Sequence, residues 1–439
     1  MSDRTSSTTQ PAKVGAWFIG ARGSLATTAT VGLRALARGL AEPYGVTTAA
    51  ADLGGAPFPD FDDIVVGGHD VEGTPLEKKA AEIAAGGVFP AEIVSMVASD
   101  LARIDPEVRI APTDGPTQQH DIDQMAADIA AFRTNNGLRT VVVVDISSTE
   151  ALPDDHPAFH SEEALREALD TPGGAVLPPS AIGAAAAIQA GAPYACFTPS
   201  AGMSLPVLRA RAEAAGVPFA GQDGKTGETL LRTVLAPMFT GRNLKVLSWA
   251  GTNILGGGDG ATLADPQAVR SKLASKTRGL HSLVGEDVAT PLHIDNVPDM
   301  GNLKTAWDHV HAVGFLGSRI TLQTTWSAHD SALAAPLVID LVRSLALASD
   351  AGLSGVVPEL GCFFKDPWGS DVHAFAEQTR RYAAWVEQTS LFAAGRPAGG
   401  DAASTGDAPS TDDAAGSPAA GSANGTGEPA DDSRVSAGR

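Results

Sequence analysis

Cysteine is scarce in this 439-residue sequence: only Cys196 and Cys362 occur. Two thiols cannot build a disulfide framework, and their spacing fits no metal or redox motif, so a reducing cytoplasmic setting is expected. Positive charge is also short. Against 51 acidic residues stand 31 lysines and arginines, a net charge of -20. Such a balance excludes nucleic acid and an anionic membrane surface as partners. No run looks long and apolar enough to cross a bilayer, and the polar opening MSDRTSSTTQPAK lacks the apolar centre of a signal peptide. His281, His293, His309 and His311 form no i, i+4 pair with a glutamate, so no zinc site is expected.

What remains is the composition of a soluble globular enzyme, 43% hydrophobic and 19% charged, long enough for two domains. Residues 14–19 form a short apolar run that opens into Gly20, Arg22, Gly23, Ser24 and Ala26, with helical spacing from Thr27 to Leu40. Strand, glycine turn and helix begin a dinucleotide-binding unit, in which a pyrophosphate rests on the helix N-terminus. The match to G-x-G-x-x-G is imperfect, because Arg22 holds the place of the second glycine. IVVGGHD at 64–70 is a second strand ending in Asp70, either a ribose ligand or a solvent-facing loop carboxylate. TVVVVDISSTE at 140–150 is a buried parallel-type strand that leaves Ser147, Ser148 and Thr149 at its carboxyl end, where open α/β sheets bind ligands. Helix at 181–190, strand at 194–198 and helix at 206–215 continue the alternation, which predicts a doubly wound parallel α/β sheet.

GQDGKTGET at 221–229 contains Gly-Lys-Thr, but Phe219 stands where a phosphate-binding loop needs its first glycine, so a nucleoside-triphosphate site is rejected. Asp223 and Lys225 remain as polar groups at a strand end, beside a helix at 229–239. The apolar run 246–249 then empties into a stretch holding five glycines between Gly251 and Gly260, with Asn253 and Asp259 among them. Asp265 before Pro266 predicts a helix over 267–276, on which Lys272 and Lys276 share a face that calls for an anion between them.

Beyond this point the pattern changes. A strand is expected at 292–297, a helix at 301–313 capped by Asn302 and carrying Lys304 and Asp308 on one face, and a one-side-wet strand at 318–326. They suggest an inserted α+β unit, from which an apolar helix at 330–348, the segment GCFFKDP and a helix at 372–392 return the chain to the first domain. The expected organisation is a disordered leader at 1–12, a nucleotide-binding Rossmann domain at 13–230, a catalytic and tetramerisation insert at 231–330, a return segment at 331–394 and a disordered acidic tail at 395–439.

The chain resembles the inositol-3-phosphate synthase family. Family patterns N-x-L-G-N-N-D-G, F-R-S-K-x-x-S-K, G-D-S-K and E-D-S-L-L-A-x-P correspond, in order, to NILGGGDG at 253–260, VRSKLASK at 269–276, GNLK at 301–304 and HDSALAAP at 329–336. VVGGHD at 65–70, SSTE at 147–150 and GQDGKTGET are similar as well. The resemblance implies inositol and phospholipid biosynthesis: NAD-dependent, redox-neutral cyclisation of glucose 6-phosphate to 1D-myo-inositol 3-phosphate by a homotetramer. It assigns Lys304 to the proton and hydride step, Lys272 and Lys276 to enolate and phosphate, Asp223 and Asp330 to orienting a lysine or a ribose, and Gly20, Arg22, Gly23, Ser24, Asp70, Ser148, Thr149, Asp223, Asn253 and Asp259 to NAD. The sequence departs from the family at Gly257 and Gly258, where asparagines are usual, at Asn302 and His329, where acids are usual, and at a C-terminal lysine whose stand-ins here are Lys365, Arg380 or Arg381. An NAD-dependent dehydrogenase or cyclase acting on another sugar phosphate is the alternative.

Overall fold

Apolar runs build the centre of the first sheet, as expected for strands covered on both faces, while the edge strand at 108–110 alternates as Val-Arg-Ile. The strands are Val14–Ile19 (β1), Ile64–Asp70 (β2), Val108–Ile110 (β3), Thr140–Asp145 (β4), Tyr194–Cys196 (β5), Pro218–Gly221 (β6) and Gly355–Val356 (β11). All pair in parallel, in the order β11-β6-β5-β4-β1-β2-β3. The order reverses between β1 and β4, the switch point at which doubly wound sheets bind their ligands. The structure is a computed structural model that describes residues 13–256 and 279–395. The leader, the tail and residues 257–278 lie outside these, and with them the expected helix over 267–276.

Alternate residues of β1 feed different cores. Val14, Ala16 and Phe18 join one cluster with helices Ser24–Ala37 (α1), Leu76–Ala85 (α2) and Ala91–Ile104 (α3). Trp17 joins the other, with Gln118–Asn135 (α4), Glu162–Leu169 (α5), Pro179–Gln189 (α6) and Pro206–Ala214 (α7). The first cluster also holds Asp330–Asp350 (α9) and Phe375–Gly395 (α10). By length and composition α9 is apolar enough to cross a membrane, which corrects the sequence reading that no run is. Its apolar window is 72% buried inside the protein, so here it is a core helix.

A second sheet follows helix Glu228–Gly241 (α8): Lys245–Leu255 (β7), Leu292–Asn296 (β8), Leu303–Val313 (β9) and Arg319–His329 (β10), in the order β10-β9-β7-β8. Only β7 and β8 run parallel. Two expectations are corrected. The helix read at 301–313 is the strand β9: Ala306, Asp308, Val310 and Ala312 are buried while Trp307 and His309 are exposed, a period of two. Gly251, read as loop, lies within β7, where a Cβ would come within 2.1 Å of the Arg232 guanidinium.

Inside the first core, Asp340 on α9 accepts from Thr47 N (2.9 Å), Thr48 N and Thr48 Oγ1. Burial nevertheless raises its carboxyl to about 6. Because the folded protein holds this proton more tightly than the unfolded chain, the group's contribution to stability falls as pH rises from about 4 to about 6. Over that window wild type is expected to lose on the order of 3 kcal/mol more than Asp340→Asn, read from urea midpoints. Parallel pH curves for the two would exclude it.

Candidate functional site

The glycine turn comes first. Gly20 has φ 84°, and a Cβ there would sit 2.8 Å from Ser147 Cα, so the turn runs hard against the end of β4. Its amide and that of Ala21 donate to the His69 carbonyl at 2.9 and 3.0 Å. Gly23 caps α1 without a side-chain hydrogen bond, leaving the first amides of the helix open to an anion. Ser24 begins the helix, and Ser148 and Thr149 lie exposed and half-buried just past β4. Asp70 ends β2, its carboxylate accepting Arg22 N at 2.7 Å and Glu72 N at 2.9 Å. These residues fit a dinucleotide at the switch point. Arg22 is the exception: its buried guanidinium turns inward to Asp105 at 2.6 Å and to the Thr74 and Val108 carbonyls, and its backbone N–H is held by Asp70, so its side chain is not aimed at a cofactor.

A second constellation is gathered by residues 223–226, directly after β6. This turn pairs with residues 363–366: Lys225 N donates to Phe363 O and Lys365 N to Asp223 O. The Asp223 carboxylate meets Lys365 Nζ at 2.7 Å, both side chains about 5% exposed. Three residues on, Thr226 Oγ1 donates to Asp330 Oδ1 at 2.8 Å, and Asp330 Oδ2 holds Lys304 Nζ at 3.2 Å. Asp330 opens α9 and Lys304 opens β9, so one short turn ties two ion pairs across both sheets. Lys304, Asp330, Gly227, Glu228 and Trp326 line a cavity of about 10 Å³. That holds one water at most, so it forms the floor beside Lys304 rather than a sugar site.

Behind this floor Arg232 binds Glu228 and Asp308, each at 2.7 Å, and Trp249 Nε1 donates to Asp308. Burial raises the Asp308 carboxyl despite the guanidinium. Asn253, assigned by resemblance to the cofactor, lies fully buried in β7 and donates to Glu228 Oε2 at 2.9 Å. Lys272, Lys276 and Asp259 lie outside the described residues. Sequence reasoning offered Lys365 only as one of three stand-ins for a C-terminal lysine, beside Arg380 and Arg381, although a lone lysine closing the apolar run GCFF was a usable signal. It missed Glu228 and the burial of Lys225.

The profile of the myo-inositol-1-phosphate synthase family, an NAD-binding family, matches residues 14–387. An inositol-3-phosphate synthase of Bacteroides thetaiotaomicron is 31% identical over 86% of this chain and 94% of its own length. The Drosophila melanogaster enzyme is 29% identical over 65% of this chain; that match spans 54% of the fly protein. Among solved structures, inositol-3-phosphate synthase from Caenorhabditis elegans superposes with a TM-score of 0.75 at 22% identity, over 88% of this chain and 86% of its own. A myo-inositol-1-phosphate synthase-related protein from Thermotoga maritima gives 0.70 at 23%, over 85% and 98%, so these two share the fold. With its profile matched from the first strand into the last helix, the chain belongs to the myo-inositol-1-phosphate synthase family, whose cofactor is NAD.

Proposed function

We propose that this chain cyclises glucose 6-phosphate to 1D-myo-inositol 3-phosphate with no net redox change. The observation that carries the reading is the turn at 223–226, which presents the Asp223–Lys365 and Asp330–Lys304 pairs together at the carboxyl end of β6. NAD held at the glycine turn after β1 would supply the acceptor for the carbon 5 hydride and the donor that returns it. As that hydride leaves, the Lys304–Asp330 pair takes the proton of the carbon 5 hydroxyl, and it gives the proton back when the hydride returns. The ketone formed at carbon 5 acidifies carbon 6, whose proton passes to the phosphate dianion of the substrate itself; carbon 6 then bonds to the aldehyde carbon 1, and the alkoxide left on carbon 1 takes that proton back. Lys365, fixed by Asp223, supplies fixed positive charge against the oxyanion that develops. Lys272 and Lys276 complete the reading as phosphate and enolate ligands.

The test is product identification by phosphorus NMR with glucose 6-phosphate and catalytic NAD. An inositol phosphate should form with no lasting change in nicotinamide absorbance. Accumulation of NADH without that product would replace the cyclase by a dehydrogenase.

The same reading makes the chain a cytoplasmic homotetramer. Its two cysteines are buried and free. Phe315 and Leu316, between β9 and β10, are 86% and 90% exposed, an apolar pair that another subunit would cover. Light scattering should give about four times the 44.7 kDa chain mass, and changing both residues to aspartate should lower it. A monomeric wild type would reject the assembly.

A further inference from the structure

Lys225 stands apart from the pairs already described. It is only 3% exposed, and its ammonium group donates to Gln378 Oε1 on α10 while lying 5.4 Å from the centre of the Phe375 ring. Neither neighbour carries charge. From the segment Pro358–Phe363 the buried Cys362 thiol faces it, and burial pushes that thiol up to about 12, so it too is neutral near pH 7. Desolvation pulls the Lys225 amine down to about 8. With no charged neighbour, what the amine gains here is the hydrogen bond to Gln378 rather than an ion pair.

What the amine holds is the turn. Asp223, Lys225 and Thr226 send their side chains to three different elements: to Lys365, to Gln378 on α10, and to Asp330 at the start of α9. Gln378 is itself fixed, since its Nε2 donates to the Val372 carbonyl at 2.6 Å. The link from Lys225 to Gln378 therefore joins α10 to the backbone that sets both ion pairs.

We propose that Lys225 is a positioning residue: held by Gln378, it fixes the turn at 223–226 and through it the placement of the Lys365 and Lys304 ammonium groups. For its effect on turnover this rests on the cyclase reading above; for its effect on geometry it does not. Lys365 N donates to the carbonyl of Asp223, two residues before Lys225, and the hydroxyl of Thr226, one residue after it, donates to Asp330, so release of the Lys225 side chain shifts both pairs together. A shift of about 1 Å in such a group lowers turnover by about a hundredfold.

The experiment compares Lys225→Met and Gln378→Glu with wild type. Lys225→Met is expected to fold with a modestly lowered melting temperature, to keep its NADH affinity and to lose kcat by ~10- to 100-fold. Gln378→Glu gives the ammonium a carboxylate, which favours the charged form, so any alkaline limb of kcat that reports Lys225 should lie about one unit higher than in wild type. It also removes the donor to Val372, so its stability is measured in parallel. Wild-type kcat in Lys225→Met, or an alkaline limb unmoved in Gln378→Glu, overturns the proposal; if Lys225→Met fails to fold, the limb decides. Should wild type make no inositol phosphate, the cyclase reading fails by itself. The crystal structure of Lys225→Met then settles the geometry, because Asp223–Lys365 and Asp330–Lys304 pairs unchanged at 2.7 and 3.2 Å would overturn the inference.

Discussion

Lys304→Ala is expected to lower kcat by about a thousandfold while leaving the fold and NADH binding in place. The fold survives because this ion pair is not buried: the Lys304 and Asp330 side chains are 15% and 36% exposed, and a pair so placed contributes about 1 kcal/mol or less. Asp330 keeps its hydrogen bond from Thr226, and β9 keeps its full register with β7 and β10. In the reading proposed above the chemistry suffers because the Lys304 amine, which lines the floor cavity and donates to Asp330, belongs to the pair that handles the carbon 5 hydroxyl proton. Removing a positioned proton-transfer group typically costs a factor of 10² to 10⁴. Thermal melting, NADH titration and product NMR on the same preparation check all three parts. A variant within threefold of wild-type kcat would dismiss Lys304 from the reaction, and a collapsed melting transition would make its role structural.

Strands β1, β2, β4 and β5 of the first sheet were legible because burial on both faces writes itself into sequence as apolar runs. Four valines at 141–144 and the glycines after β1 needed no partner to be read. The second sheet was less legible. Residues 304 and 308 lie four apart, a spacing that puts them on one face of a helix and equally on one face of a strand. Only the alternation of Ala306, Trp307, Asp308 and His309 between buried and exposed decides the matter. The segment from 71 to 139 was left without elements, although it forms α2, α3, β3 and α4; α4 has little contrast between its faces.

Within the site, the sequence exposed what sits in local motifs and hid what arises by long-range closure. Asp223 and Lys365 are 142 residues apart, Lys225 and Gln378 are 153 apart, and Thr226 and Asp330 are 104 apart. No spacing rule reaches so far. Arg22 shows the converse failure: its place in the glycine motif suggested a cofactor contact, while its side chain found Asp105, 83 residues away.

Lys365→Met is expected to reduce both activity and stability, and a second substitution should separate the two. The pair it breaks is buried, with side chains 6% and 5% exposed and a contact of 2.7 Å. Removing one partner leaves the Asp223 carboxylate in a low-dielectric setting without this cation, at a cost of about 3 to 5 kcal/mol. Removing both charges, in Asp223→Asn with Lys365→Met, takes the buried carboxylate away and should restore most of that loss, since an apolar or neutral pair often replaces a buried ion pair at little cost. Turnover should not return with it. If Lys365 supplies the charge that balances the developing oxyanion, both variants remain about 10²- to 10³-fold below wild type. Urea denaturation and kcat on the single and double variants test this directly. Joint recovery of stability and turnover in the double variant would show that Lys365 serves only the fold.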